Sequence, residues 1–375
     1  MAIMIRNDCR QFREDRPCKP HKNKGIHCDS CIEYDPIKYR ILIIKLNAIG
    51  DVIRTAGIIP ALISKYPGAY ITWVTEPNAV SLLELVPGID RIWSHNEYLL
   101  EKLLTEPFDL VLGLDNSKEA GQLVYLSKGK TKMGFSLDKM ANLLPLSKAA
   151  ENWYQMGVND NLKCANRNTY QEILWSICEL PLPIISSKII IPDKYEKEGK
   201  EFAEMFSLIN KKPIIGFFSG AGIRWPQKSI SLSKQKELLN KLSAKYCNGS
   251  IILFGGPLEI ENNKRLLSEI PSTILNAGYF ESISKFASIL NLIDILITGD
   301  TLPLHIALAL KKKVVVYFGP TSPWEIELFG LGEKIIVPLD CISCYKNECN
   351  KSPNCSEIVD VNNIIDTVGR VLKDI

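Results

Sequence analysis

Long apolar runs are missing from this sequence, and none reaches the roughly 18 residues of a membrane span. The first ten residues carry Arg6 and Asp8 where a signal peptide needs its apolar stretch, so the cytoplasm is the expected compartment. One-sided charge is missing too. With 45 Lys+Arg against 42 Asp+Glu the net charge is +3, and no long single-sign block is present to recruit nucleic acid or an anionic membrane. Cysteine is the opposite case: there are eleven, many for a reducing compartment, and eight of them fall into two groups of four.

The first group is Cys9, Cys18, Cys28 and Cys31, with His21 and His27 nearby; the second is Cys341, Cys344, Cys349 and Cys355. Each contains a CxxC pair, whose thiolates converge from a tight turn, and two more sulfurs complete a tetrahedron suited to zinc or iron. Four protein ligands leave no open position, so a metal held this way is structural. Unligated thiols, or four of the eight joined in one shared site, are the alternatives. Cys164, Cys178 and Cys247 stand alone and read as core or surface thiols.

A chain of 375 residues exceeds one ordinary core and suggests two α/β domains with appendages. Residues 1–38 are polar, rich in Cys, Lys, Arg and Pro, and lack either hydrophobic period, as a metal-stapled extension would. Within 39–182, strands are expected at 40–46, 69–75, 89–93 and 109–114, and helices at 52–65, 81–86, 98–104 and 119–127. The period blurs over 143–162 and returns as a helix over 169–179. Extended chain leads into 183–375, with a helix over 196–208, strands at 213–218, 251–254, 274–276, 294–298 and 314–318, and a closing helix over 358–372. Two doubly wound halves facing a cleft are the expected architecture, with ligands at the carboxyl ends of the strands.

Polar residues cluster at those strand ends. Gly50 and Asp51 occupy the first strand-to-helix turn, where a carboxylate can cap the helix or deprotonate an acceptor hydroxyl. Ser219, Gly220 and Ala221 end another strand ahead of Arg224 and Lys228, suiting a pyrophosphate and the charge on a departing nucleoside diphosphate. Glu259 follows Gly255-Gly256, placed either to contact a ribose or base or to sit as a solvated helix-start acid. Asp300 and Thr301 follow a strand and open a helix containing Leu302 and His305; they can serve a phosphate and ribose, or simply cap the helix over a core histidine. A nucleotide sugar is the ligand this set suggests.

From Ile44-Lys45 through Gly50-Asp51, Ser219-Gly220-Ala221, Trp225-Pro226-Gln227-Lys228, Gly255-Gly256-Pro257, the Asp300 loop through His305, and Tyr317 to Thr321, the chain resembles glycosyltransferase family 9 over about 40–321. Its best-known members are the ADP-heptose heptosyltransferases. The resemblance implies a GT-B fold with two Rossmann-like domains, no catalytic metal, and inversion at the anomeric carbon. It implies Asp51 as base and Lys228 as the lysine neutralising the diphosphate, with Ser219 and Gly220 in the phosphate loop and Glu259 near the nucleoside. Asp300, Thr301 and His305 match the donor loop; Leu302 replaces the family's usual glycine there. The second cysteine group resembles the protein-modifying heptosyltransferases that glycosylate bacterial autotransporters, a branch that holds iron through four cysteines and includes large assemblies, so a homo-oligomer is compatible with it. The implied acceptor is a hydroxyl on a glycan, a lipopolysaccharide core or a protein. A nucleotide-sugar epimerase or hydrolase on the same fold, and a non-catalytic metal-stapled interaction module, are the alternative functions.

Overall fold

Strand order puts both expected turn acids at the middle of a sheet. The computed structural model describes residues 4–373. In the first half β1 (Tyr39–Ile44), β2 (Ala69–Thr75), β3 (Arg91–Ser94), β4 (Pro107–Gly113), β5 (Lys128–Leu137) and β6 (Leu143–Pro145) lie in the order β3-β2-β1-β4-β5-β6. Only the β5–β6 pair is antiparallel. In the second half β7 (Ile214–Phe218), β8 (Ser250–Phe254), β9 (Leu275–Gly278), β10 (Ile295–Thr298), β11 (Lys313–Phe318) and β12 (Gly332–Ile336) form a wholly parallel sheet, β12-β11-β10-β7-β8-β9. The winding direction reverses between β1 and β4 and between β7 and β10, which opens a crevice at the carboxyl ends of those strands.

Strands buried on both faces need continuous apolar sequence, and β1 shows why. Ile41 and Ile43 enter one core while Leu42 and Ile44 enter another on the opposite face, all at 0% exposure. The larger core runs through both halves, joining Val52 and Ile53 of the helix Ile49–Thr55 to Leu304 and Ile306 of the helix Leu302–Ala309. Each such side chain contributes about 1.5–3 kcal/mol on full burial, so this shared core fixes the two cleft-side helices against each other. Gly50 lets them approach: a Cβ there would stand 3.1 Å from His305 Cδ2. The closing helix Val361–Lys373 lays Val361, Ile364, Val368 and Val371 over the outer face of the second sheet, with Phe217, Leu253 and Val315.

Several elements differ from the sequence expectation. The helix expected over 52–65 is two, Ile49–Thr55 and Ile58–Lys65, which meet at Ala56-Gly57, where the carbonyl of Ile185 comes so close that a Cβ on Gly57 would lie 2.6 Å from it. β5 went unexpected since its first half is a half-exposed run of lysines with no apolar signal, and β12 is equally polar at its start. The blurred region resolves into β6 and two short helices, Lys148–Val158 and Asp160–Ala165, capped by Ser147 and Asn159. In the extension, Pro20 alone is buried among residues 4–38. Arg10 fastens it to the first sheet, bonding the Ala69 carbonyl at 2.7 Å and pairing with Asp90 and Asp35. Among the described residues no helix is long and apolar enough to cross a membrane.

Candidate active site

A cavity of about 1010 Å³ lies between the two halves, lined from the carboxyl ends of β1, β4, β7, β8, β10 and β11. On the first side Asp115, just past β4, receives the backbone N–H groups of Leu46 at 3.2 Å and Asn47 at 3.0 Å and the Lys45 ammonium at 3.1 Å. Those bonds fix the turn after β1, and the pair is tolerated in the interior because its polar atoms are satisfied. The turn delivers Asp51 into the first turn of the helix Ile49–Thr55, with its side chain 38% exposed toward the cleft. Arg54, one helical turn further, donates to Asp51 Oδ1 at 3.0 Å and to the Glu325 carbonyl at 2.7 Å, and lies over the Tyr170 ring.

On the second side Lys228 ends the 3₁₀ turn Pro226–Lys228 and donates to Asp300 Oδ2 at 2.8 Å and the Asp300 carbonyl at 2.9 Å. Gly299 makes room for this: a Cβ there would be 2.1 Å from the Lys228 carbonyl. His305 Nε2 stands 3.5 Å from Asp300 Oδ1. Burial pushes the Asp300 carboxyl up, but the Lys228 ammonium and the His305 contact outweigh it and hold it well below the usual carboxylate range. Burial also lowers His305, which Asp300 only partly opposes, so at neutral pH the imidazole is uncharged. The result is a fixed cation lining a cleft whose other wall carries Asp51.

The family model for glycosyltransferase family 9 (heptosyltransferase) matches residues 97–354, well over half of the chain. The chain belongs to that family. Lipooligosaccharide heptosyltransferase 2 of Haemophilus influenzae is 24% identical to it over 304 residues, covering 76% of this chain and 84% of that protein. Among solved structures, a family 9 glycosyl transferase from Veillonella parvula superimposes with a TM-score of 0.71 at 17% identity, covering 90% of this chain and 98% of that one. The ADP-heptose lipopolysaccharide heptosyltransferase II of E. coli gives 0.65 at 16%, covering 89% and 99%. The two-sheet α/β fold is thus that of GT-B heptosyltransferases, and the protein is a glycosyltransferase.

This family 9 enzyme brings most of the expected residues together. Asp51, Ala221, Arg224, Lys228, Glu259, Asp300, Thr301, Leu302 and His305 all line the cleft. Ser219 does not. Its hydroxyl lies 2.7 Å from Asn263 Oδ1 and 3.2 Å from the Phe254 carbonyl and is 3% exposed, while the residue lines an adjoining cavity of about 340 Å³. Gly220 lines the same adjoining cavity, and a Cβ there would lie 2.4 Å from Glu259 Oε1, so a larger residue would displace the Glu259 carboxylate. Glu259 caps its own turn, accepting the Gly256 N–H at 2.8 Å. Arg224 is exposed with its guanidinium over the Trp225 ring, while Lys228 is the cation the fold holds in place. Arg54, Asp115, Tyr170, Glu325 and Tyr345 were not anticipated, and Lys45 only as part of the motif through Asp51; the i, i+3 spacing of Arg54 from Asp51 is the one local signal that points to any of the rest.

The cysteines divide. Cys341, Cys344, Cys349 and Cys355 line one cavity of about 290 Å³ beside Gln227 and Gly319. Burial first, and then the other three sulfurs, push the Cys355 thiol up to about 11. Cys9, Cys18, Cys28 and Cys31 are each half-buried, and the rings of His21 and His27 meet edge to face. Among the described residues no group of three or more His, Cys, Asp or Glu side chains stands in metal-holding geometry. Cys178 is buried in the core, Cys164 donates to the Ser343 carbonyl at 3.0 Å, and Cys247 is exposed.

Proposed function

We propose that the cleft transfers a heptose from ADP-heptose to an acceptor hydroxyl on a glycan, a lipopolysaccharide core or a protein, with inversion at the anomeric carbon. Asp51 takes the proton from the acceptor hydroxyl as its oxygen bonds to the anomeric carbon, the bond from that carbon to the β-phosphate oxygen breaks, and ADP departs with the electron pair. Lys228, held by Asp300, neutralises the charge growing on the diphosphate. Thr301 and the start of the helix Leu302–Ala309 contact the donor, while Ala221, Arg224 and Glu259 flank it. The observation that carries this reading is an accessible carboxylate facing a fixed ammonium across one cavity at the two switch points of the fold. The donor follows from the relatives, whose names specify heptosyltransferases and ADP-heptose.

The same reading places a structural zinc or iron on Cys341, Cys344, Cys349 and Cys355. Four thiols around one cavity are the donor set that a tetrahedral, thiophilic metal takes, and bound there it supplies only a crosslink. For Cys9, Cys18, Cys28 and Cys31 the support is the extension itself, which has almost no core of its own and needs a staple to keep one shape. Calorimetric titration with ADP-heptose, ADP, UDP-glucose and GDP-mannose tests the donor. Selective binding of the two adenine ligands is expected, and selective binding of a uridine or guanosine sugar would reassign the donor.

A further inference from the structure

The two walls of the cleft are tied together by side chains that the transfer step does not itself use. Arg54, 8% exposed, bonds Asp51 with one nitrogen and the Glu325 carbonyl with another. That carbonyl also receives the Tyr170 N–H at 3.0 Å, so it is a crossing point between the halves. The Glu325 carboxylate accepts the Tyr345 hydroxyl at 2.9 Å. The Tyr345 carbonyl in turn accepts Trp225 Nε1–H at 3.0 Å, and Trp225 immediately precedes the turn that carries Lys228. Tyr345 sits in the loop of the C-terminal cysteines, one residue after Cys344, with the Lys163 ammonium 3.7 Å from its ring centroid.

One tyrosine therefore holds the arm that reaches Asp51 and the arm that reaches Lys228. We propose that Tyr345, Glu325 and Arg54 are positioning residues for transfer, setting Asp51 and the Lys228 turn against each other so that the cysteine loop fixes the reacting geometry of the cleft. An aspartate 38% exposed on a short side chain has rotational freedom that a reaction at a set distance does not tolerate, and a guanidinium anchored at a second point removes it. The proposal rests on the reading of Asp51 as base.

Four variants test it: Tyr345→Phe, Arg54→Ala, their combination, and Asp51→Asn, each followed by ADP release from saturating ADP-heptose with a lipopolysaccharide-core acceptor present, and by calorimetric titration with ADP. Tyr345→Phe keeps the ring and the backbone carbonyl and loses the hydroxyl, which donates to Glu325 at 2.9 Å and accepts the Ser322 N–H at 3.3 Å. Each positioning variant is expected to lower turnover about 10- to 100-fold while KM and ADP affinity stay within about 2-fold. The double variant is expected to be no slower than the slower single one, because both substitutions break one chain. Additive losses, a loss carried by KM alone, or unchanged turnover would each overturn the proposal. Should Arg54→Ala fail to fold, Arg54→Lys replaces it, since a lysine reaches Asp51 or the Glu325 carbonyl but not both; wild-type turnover in that variant counts against the proposal. Full turnover in Asp51→Asn would instead remove the base reading, and the double variant would still report whether Tyr345 and Arg54 act as one unit.

Discussion

Two acid–cation pairs line the cleft, one from each half, and they differ in how open the acid is. Asp51 with Arg54 and Asp300 with Lys228 look alike in sequence, each acid following a glycine in a strand-to-helix connection. In the first pair the cation is buried at 9% exposure and the acid is open at 38%; in the second both sit at 14%. Lys228 occupies one oxygen of Asp300 and His305 faces the other, whereas Arg54 engages only Oδ1 in its bond to Asp51. A carboxylate must offer an accessible oxygen to take a proton, so the proposed function assigns the base to the open acid, while the enclosed one holds a lysine in place.

Substitutions at either pair sharpen or break that division. Asp51→Asn keeps the shape and removes the proton acceptor, and a turnover loss of about 10²–10⁴-fold is expected in an ADP-release assay. Lys228→Ala removes the charge that meets the leaving group, for an expected turnover loss of about 10²–10³-fold in the same assay. Asp300→Asn leaves Lys228 enclosed without its counter-charge, and chemical denaturation is expected to show a destabilisation of about 3 kcal/mol that Asp51→Asn lacks. Ser219→Ala strips the donor from Asn263 and the Phe254 carbonyl, costing about 1 kcal/mol by denaturation with ADP affinity unchanged.

The smallest expected effect concerns pH. Because burial depresses His305 in the folded protein, the unfolded chain binds its proton first as pH falls below the ordinary 6.5. Stability associated with this group is present above that value and declines as pH drops toward the folded-state value. A thermal-unfolding series should show a steeper decline below the ordinary histidine range in the wild type than in His305→Gln; identical slopes would mean that His305 is not depressed.

The doubly wound halves were legible because central parallel strands must be apolar on both faces, as in Ile41 to Ile44 and Val314 to Val316. The edges were not: β5 begins with lysines and shows its apolar face only from Gly134 onward. Strand-end acids and Lys228 were legible as chemical types at the right place in a βα step. Their partners were not, because Arg54 reaches the Glu325 carbonyl across 271 residues and Tyr345 meets Trp225 across 120. The Ser219 hydroxyl meets Asn263, 44 positions away, a partner that nothing in the local sequence signals.

The most direct test of the division between the two pairs is the dissociation constant of ADP, measured by titration on the wild type, Asp51→Asn and Lys228→Ala. The account predicts an affinity unchanged in Asp51→Asn and clearly weaker in Lys228→Ala; weakening in Asp51→Asn with no change in Lys228→Ala would contradict it.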